Sequence, residues 1–132
     1  MAGTRGRTRI AFRVTATGLA VLGLAQASIA GSFLNGHYDM LRVHLMAAMV
    51  MVSVAVAQAV VGVLLARAGQ ATGWVVRASV ALPVAVAGQG VLGMYRVLGL
   101  HVPLGVLVVA SSVALAVWSW RPRPSARTGG VS

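Results

Sequence analysis

Residues 43–66 read VHLMAAMVMVSVAVAQAVVGVLLA, a stretch with no charged side chain and a single histidine, His44, near its start. An apolar run of about 18 residues or more is long enough to cross a bilayer as a helix, since roughly 20 residues at helical rise span the hydrocarbon core. Outward from this run the same test succeeds three more times. Val14 to Tyr38 carries no charge, Ala78 to Tyr95 lies between Arg77 and Arg96, and Val97 to Trp120 precedes the Pro-rich tail from Arg121. Gly69, Gln70, Thr72 and Gly73 supply loop chemistry after the second run, and Arg96 and Gly99 mark a tight turn before the fourth. Pro103 falls near the start of that last helix, where a missing backbone donor costs least. The expected fold class is all-α, a transmembrane four-helix up-down-up-down bundle with spans at about 12–35, 42–66, 75–96 and 99–120.

Composition agrees. Of the 132 residues, 58% are hydrophobic and 9% charged, whereas a soluble globule is about 25% charged. Cysteine is absent, which removes disulfide frameworks, thiolate metal sites and thiol nucleophiles together. Eleven arginines face one acid, Asp39, for a net charge of +10. In a polar chain that balance would point to nucleic acid. Here the arginines sit at the borders of apolar runs, where they act as topology signals, and no nucleic-acid partner is expected. Arg5, Arg7, Arg9 and Arg13 precede or open the first span, Arg67 and Arg77 flank the loop after the second, and three arginines follow the fourth. The other two connections hold one each, Arg42 and Arg96. The positive-inside rule therefore expects a multi-pass protein of the cell membrane with both termini cytoplasmic, and Trp74, Trp118 and Trp120 all fall near that same boundary. The basic tail 1–9 and the tail 122–132 are expected to be disordered on the cytoplasmic side. A competing reading of the first span is a secretory signal with Ser28-Ile29-Ala30 as cleavage site, but the run exceeds the usual core of about 7–15 residues.

Shifted by 57 positions the chain resembles itself around its two outer turns: Gly31 falls on Gly88, Gly36 on Gly93, Tyr38 on Tyr95, Leu41 on Leu98, His44 on His101 and Ala48 on Gly105. Histidine and tyrosine are scarce in the chain, so their agreement outweighs that of glycine and leucine. The expectation is two parallel helical-hairpin repeats about a pseudo-two-fold axis along the membrane normal. Such symmetry would place His44 and His101 at equal depth on diagonal helices, roughly 12–14 Å apart for neighbours at the usual spacing. Two imidazoles facing across that gap can clasp a flat metal macrocycle.

Facing is tested by helical periodicity. The stripe from His44 reads Ala47, Ala48, Met51, Ala55, Gln58, Ala59 and Gly62, and that from His101 reads Leu104, Gly105, Val108, Ser112, Leu115, Ala116 and Ser119. Small, weakly polar residues mark the protein-facing side of a lipid-embedded helix. Both histidines are thus expected to point into the bundle, as axial ligands of a b-type haem. Arg42 and Arg96 are the cations for its propionates or, alternatively, anchors of helix ends, with Asp39 pairing Arg42. Tyr38 and Tyr95 line the pocket mouth or belong to the interfacial belt. Gln89 and Gln26 face the cofactor or one another. His37 is expected in solvent, and Met46, Met49 and Met51 in packing. Competing occupants of the histidine pair are a quinone or a bare metal ion, and the bland alternative is a pair of merely structural histidines. One acidic side chain cannot furnish paired carboxylates or an oriented base, so an autonomous enzyme is not expected.

From Tyr38 to Val50 and Gly88 to Val108 the chain resembles a family of small four-helix integral membrane proteins of GC-rich bacteria, in which a segment like Gln89-Gly90-Val91-Leu92-Gly93 leads into Leu100-His101-Val102-Pro103-Leu104-Gly105. That likeness covers residues 10–121 and implies the fold without an activity. More distantly the chain is similar to the four-helix half-unit of haem A synthases. There helices two and four each donate a histidine near the outer face, and the third carries a glutamine and a glycine like Gln89 and Gly93. The resemblance implies ligand roles for His44 and His101. It stops short of haem modification, because the chain holds one half-unit and lacks the carboxylate pair of the first outer segment. The expected function is a haem b electron-transfer protein of the bilayer, working with a quinone or a redox partner protein, with a homodimer allowed. The alternative is a cofactor-free structural or accessory subunit.

Overall fold

The computed structural model describes residues 2–122. Four helices follow one another: α1 (Ala2–Leu34), α2 (Met40–Arg67), α3 (Gly73–Met94) and α4 (Leu98–Trp120), with no strand among the described residues. All four are long and apolar enough to span a membrane. The chain is an integral, multi-pass membrane protein. Each helix packs on two neighbours in the cyclic order α1, α2, α3, α4, and the diagonal pairs α1/α3 and α2/α4 do not approach. This is the up-down-up-down bundle that short connections enforce.

One end of the bundle carries both chain ends and the 68–72 loop, and is called here the terminal end; the other carries the 35–39 and 95–97 turns, and is called the turn end. Within the basic segment 1–9, expected to be disordered, residues 2–9 are instead the first part of α1, which starts at Ala2. Its backbone donors and acceptors continue the ladder of the span that follows, so the segment extends an existing helix without the cost of a new nucleus. At 33 residues α1 is about 50 Å long, well over the hydrocarbon thickness of about 30 Å, and its excess carries Arg5, Arg7 and Arg9. The helix passes without interruption through Ser28 to Ala30. Of the tail 122–132, all but Pro122 lies outside the described residues.

Three helices end in the same hydrogen-bond pattern, in which the residue after the cap adopts a left-handed backbone and two amides return to the last turn. At the end of α1 the pair is His37 N to Ser32 O and Gly36 N to Phe33 O; at α2 it is Gln70 N to Leu65 O and Gly69 N to Ala66 O. Gly36 (φ 95°) and Gly69 (φ 68°) fill the left-handed position. At α3 the bonds are Val97 N to Leu92 O and Arg96 N to Gly93 O, and the position is held by Arg96 at φ 56°. A side chain there costs roughly 1–2 kcal/mol against glycine.

The two turns at the turn end are therefore not alike. Residues 35–39 join α1 to α2 and residues 95–97 join α3 to α4. Gly36 is a turn residue, whereas Gly93, its counterpart at a shift of 57, lies inside α3. The correspondence of the two halves does not run through the turns, although His44 and His101 both fall in the first turns of their helices. Pro83 sits inside α3.

Packing is tapered. The core holds Phe12, Ala16, Leu19, Ala20, Met51, Ala55, Leu65, Val75, Leu82, Val86, Val108 and Leu115. No residue of 24–50 or 87–107 is buried, so the core stops before the turn end. On α2 four of the five buried residues, Met51, Ala55, Gln58 and Gly62 but not Leu65, and on α4 all four, Val108, Ser112, Leu115 and Ser119, belong to the stripes that start at the two histidines. At mid-height, polar side chains link three helices: the Thr15 hydroxyl meets Gln58 Oε1, and Gln58 Nε2 donates to Ser79 Oγ at 3.5 Å. Gly62 permits this approach, since a Cβ there would lie 2.8 Å from that of Ser79. At the terminal end α1 and α4 are tied by Arg13 Nε to Ser119 O (3.0 Å) and Trp120 Nε1 to Thr17 Oγ1 (3.1 Å), with the Arg13 guanidinium 4.7 Å from the Trp120 ring centroid. Trp118 stands edge-on to both Phe12 and Trp74.

Candidate functional site: a histidine pair between diagonal helices

His44 and His101 meet. Their ring centroids lie 6.4 Å apart with the planes inclined at 60°. No Cα atoms of the two helices that carry them come within 8 Å, so the two side chains reach inward across the bundle from opposite corners. Each lies one to two turns beyond the last buried residue of its helix, Met51 on α2 and Val108 on α4, and both rings are half-buried.

The other two helices each bring a glutamine to this layer. Gln26 Nε2 on α1 donates to the His44 carbonyl at 3.1 Å. His101 Nδ1 lies 3.0 Å from the Gln89 carbonyl on α3, and the carbonyl, an acceptor only, requires that nitrogen to carry the proton. The neutral ring then keeps its Nε2 lone pair for another partner, as a metal-ligating histidine oriented by a backbone carbonyl does. Gly93 makes the placement sterically feasible, because a Cβ at that position would stand 3.1 Å from His101 Cε1. Gly105 does the same for Gln89, whose Nε2 would lie 2.5 Å from an added Cβ. Gln89 and Gly93, singled out in the sequence, thus reach His101 through one hydrogen bond and one close approach. Gly105 is legible in the sequence as a small residue of the stripe and of the repeat, but not as a neighbour of Gln89.

Among the described residues three buried side-chain polar atoms have no hydrogen-bond partner, and all three lie on this layer's residues: Gln26 Oε1, His44 Nδ1 and Gln89 Oε1. An unsatisfied buried polar group costs about 1–3 kcal/mol in water-soluble proteins.

The remaining sequence candidates sit apart from the layer. Tyr38 and Tyr95 are each 75% exposed, with Tyr38 edge-on to Phe33. Arg42 is exposed in the first turn of α2, and Arg96 is exposed at the left-handed turn position. His37, exposed as expected, has its Nδ1 3.3 Å from the Ser32 carbonyl oxygen, an acceptor to which only a protonated Nδ1 donates. Met46 and Met49 are exposed toward lipid, and only Met51 joins the core.

Among the described residues no group of three or more His, Asp or Glu side chains comes together to hold a metal ion. Two imidazoles alone leave a bare cation short of the usual four ligands. Comparison of the chain with family models, with curated proteins and with solved structures gives no match.

Proposed function

We propose that the chain is a b-type haem protein that carries single electrons, with His44 and His101 as the axial ligands. The observation behind this reading is the facing pair itself. A centroid separation of 6.4 Å is short enough that one iron could be held by a nitrogen from each ring. A macrocycle contributes the equatorial donors that the protein lacks. The polar atoms of Gln26, His44 and Gln89 left without partners favour a layer that takes a guest. When bound, the haem would supply a one-electron couple.

The chain's own residues hold and orient. The Gln89 carbonyl fixes the tautomer of His101, the Gly93 backbone lets the ring stand close to α3, and Gln26 fixes the backbone of α2 beside His44. Arg96 suits a propionate, since a strained left-handed position that glycine fills at both other helix ends is held here by a guanidinium. Arg42 is the second cation at this end. The positive-inside bias of the arginines supports a cell-membrane orientation with the termini cytoplasmic and the histidine layer near the outer face. The resemblance to the half-unit of haem A synthases points the same way for the two ligands. A quinone or a redox protein at that face would be the exchange partner.

A second reading, a cofactor-free accessory subunit, rests on the two interhelical bonds already made in the layer, Gln26 to His44 and His101 to Gln89. Such bonds stitch membrane helices without any ligand. A visible spectrum separates the two. Chain produced with ample haem and purified in mild detergent is expected to show a dithionite-reduced Soret and α band, both lost in His44→Ala and in His101→Ala. A colourless preparation of folded chain rejects the haem protein and leaves the accessory subunit.

A further inference from the structure

The terminal end of the bundle, remote from the histidines, holds a second feature. A cavity of about 230 Å³ opens there among α1, α2 and α4. Its floor is apolar and aromatic, made by Phe12, Leu65 and Trp118, and its rim carries Arg9 and Arg121. Phe12 and Leu65 are buried and belong to the core, and Phe12 braces Trp118 edge-on at 5.5 Å, so the floor is fixed.

Charge in this molecule is segregated along the bundle. The sole acidic side chain, Asp39, lies in a turn at the opposite end, whereas Arg5, Arg7, Arg9, Arg13, Arg67, Arg77 and Arg121 gather at the terminal end. Trp74, Trp118 and Trp120 place that end at the depth of the headgroups. A cavity with two guanidiniums at headgroup depth and an aromatic floor toward the hydrocarbon suits a ligand that is anionic on one side and apolar on the other. Guanidinium is the side chain best matched to phosphate, through paired N–H donors. Basic pockets between spanning helices are a recurring form of anionic-lipid site.

We infer that the cavity between Arg9 and Arg121 is a phosphate site, occupied by the headgroup of an anionic phospholipid whose chains lie along α1 and α4. It works independently of the histidine layer, whether or not that layer holds haem.

The test uses the full chain in phosphatidylcholine nanodiscs, titrated with phosphatidylglycerol in one arm and inorganic phosphate in the other, with indole emission and thermal midpoint as readouts. The expected result is a saturable response to phosphatidylglycerol near one lipid per chain. Half-saturation should move roughly 10- to 30-fold higher in the Arg9→Gln/Arg121→Gln pair and little in Arg5→Gln/Arg7→Gln, which removes the same charge outside the cavity. Arg121→Lys keeps the charge and should retain most of the response. A response to inorganic phosphate alone at equal strength supports the phosphate site and overturns its lipid source. No saturable response, or an equal loss in both double variants, overturns the site.

Discussion

Glycine at a left-handed turn position is the rule in this chain at Gly36 and Gly69, and Arg96 is the exception. The backbone cost of that exception makes a direct prediction. Arg96→Gly is expected to stabilise the bundle by about 1 kcal/mol, measured by unfolding in mixed detergent and denaturant; an unchanged midpoint would show the position to be unstrained. In the haem reading the same variant should load less haem while becoming more stable. A purely structural arginine would not separate those two readouts. The residue scale was also where the sequence was most ambiguous. His44 and His101 were identifiable because histidine is scarce and both recur at one place in the two halves. Which ring nitrogen is free depends on Gln89 O, a backbone atom that no side-chain pattern announces.

At the scale of the helix, what decides packing is how closely backbones approach. The backbones of α2 and α3 approach tightly where Gly62 faces Ser79, and there a Cβ would meet another Cβ at 2.8 Å, with no flexible side-chain tip to move aside. Gly62→Ala is expected to destabilise the bundle by about 1–3 kcal/mol and to disturb the bond of Gln58 to Ser79, read by the loss of thermal midpoint in detergent. A midpoint within error of the parent would mean that α2 and α3 can separate freely. The spans and the inward stripes of α2 and α4 were readable because apolar length and the 3.6 period are properties of contiguous sequence. The links of Thr15 to Gln58 and of Arg13 to Ser119 were not, since they join residues 43 and 106 positions apart and depend on how the helices are rotated. The start of α1 was misjudged for a related reason. Charge and polarity in 1–9 speak against a membrane span, but they do not forbid a helix that continues from one.

For the whole molecule the open question of sense, which end faces the cytoplasm, is accessible because the chain has no cysteine. Asn35→Cys and Thr72→Cys each place one thiol at an exposed site, at opposite ends of the bundle. With a membrane-impermeant maleimide on intact cells, the arginine distribution predicts labelling of Asn35→Cys and protection of Thr72→Cys until lysis. The reverse pattern would invert the bundle and put the histidine layer at the cytoplasmic face.

The taper of the core has a mechanical meaning. Among the described residues, the side-chain hydrogen bonds that tie one hairpin to the other, Gln58 to Ser79, Arg13 to Ser119 and Trp120 to Thr17, lie at mid-height or at the terminal end. At the turn end the bonds of Gln26 and His101 stay within α1–α2 and within α3–α4. The two hairpins are thus built like tweezers, gripped firmly at the base, with an imidazole on each tip. Parting the tips would break only half-buried contacts, so under the haem proposal the turn end is the side on which a flat ligand would enter, while the base keeps the two hairpins in register.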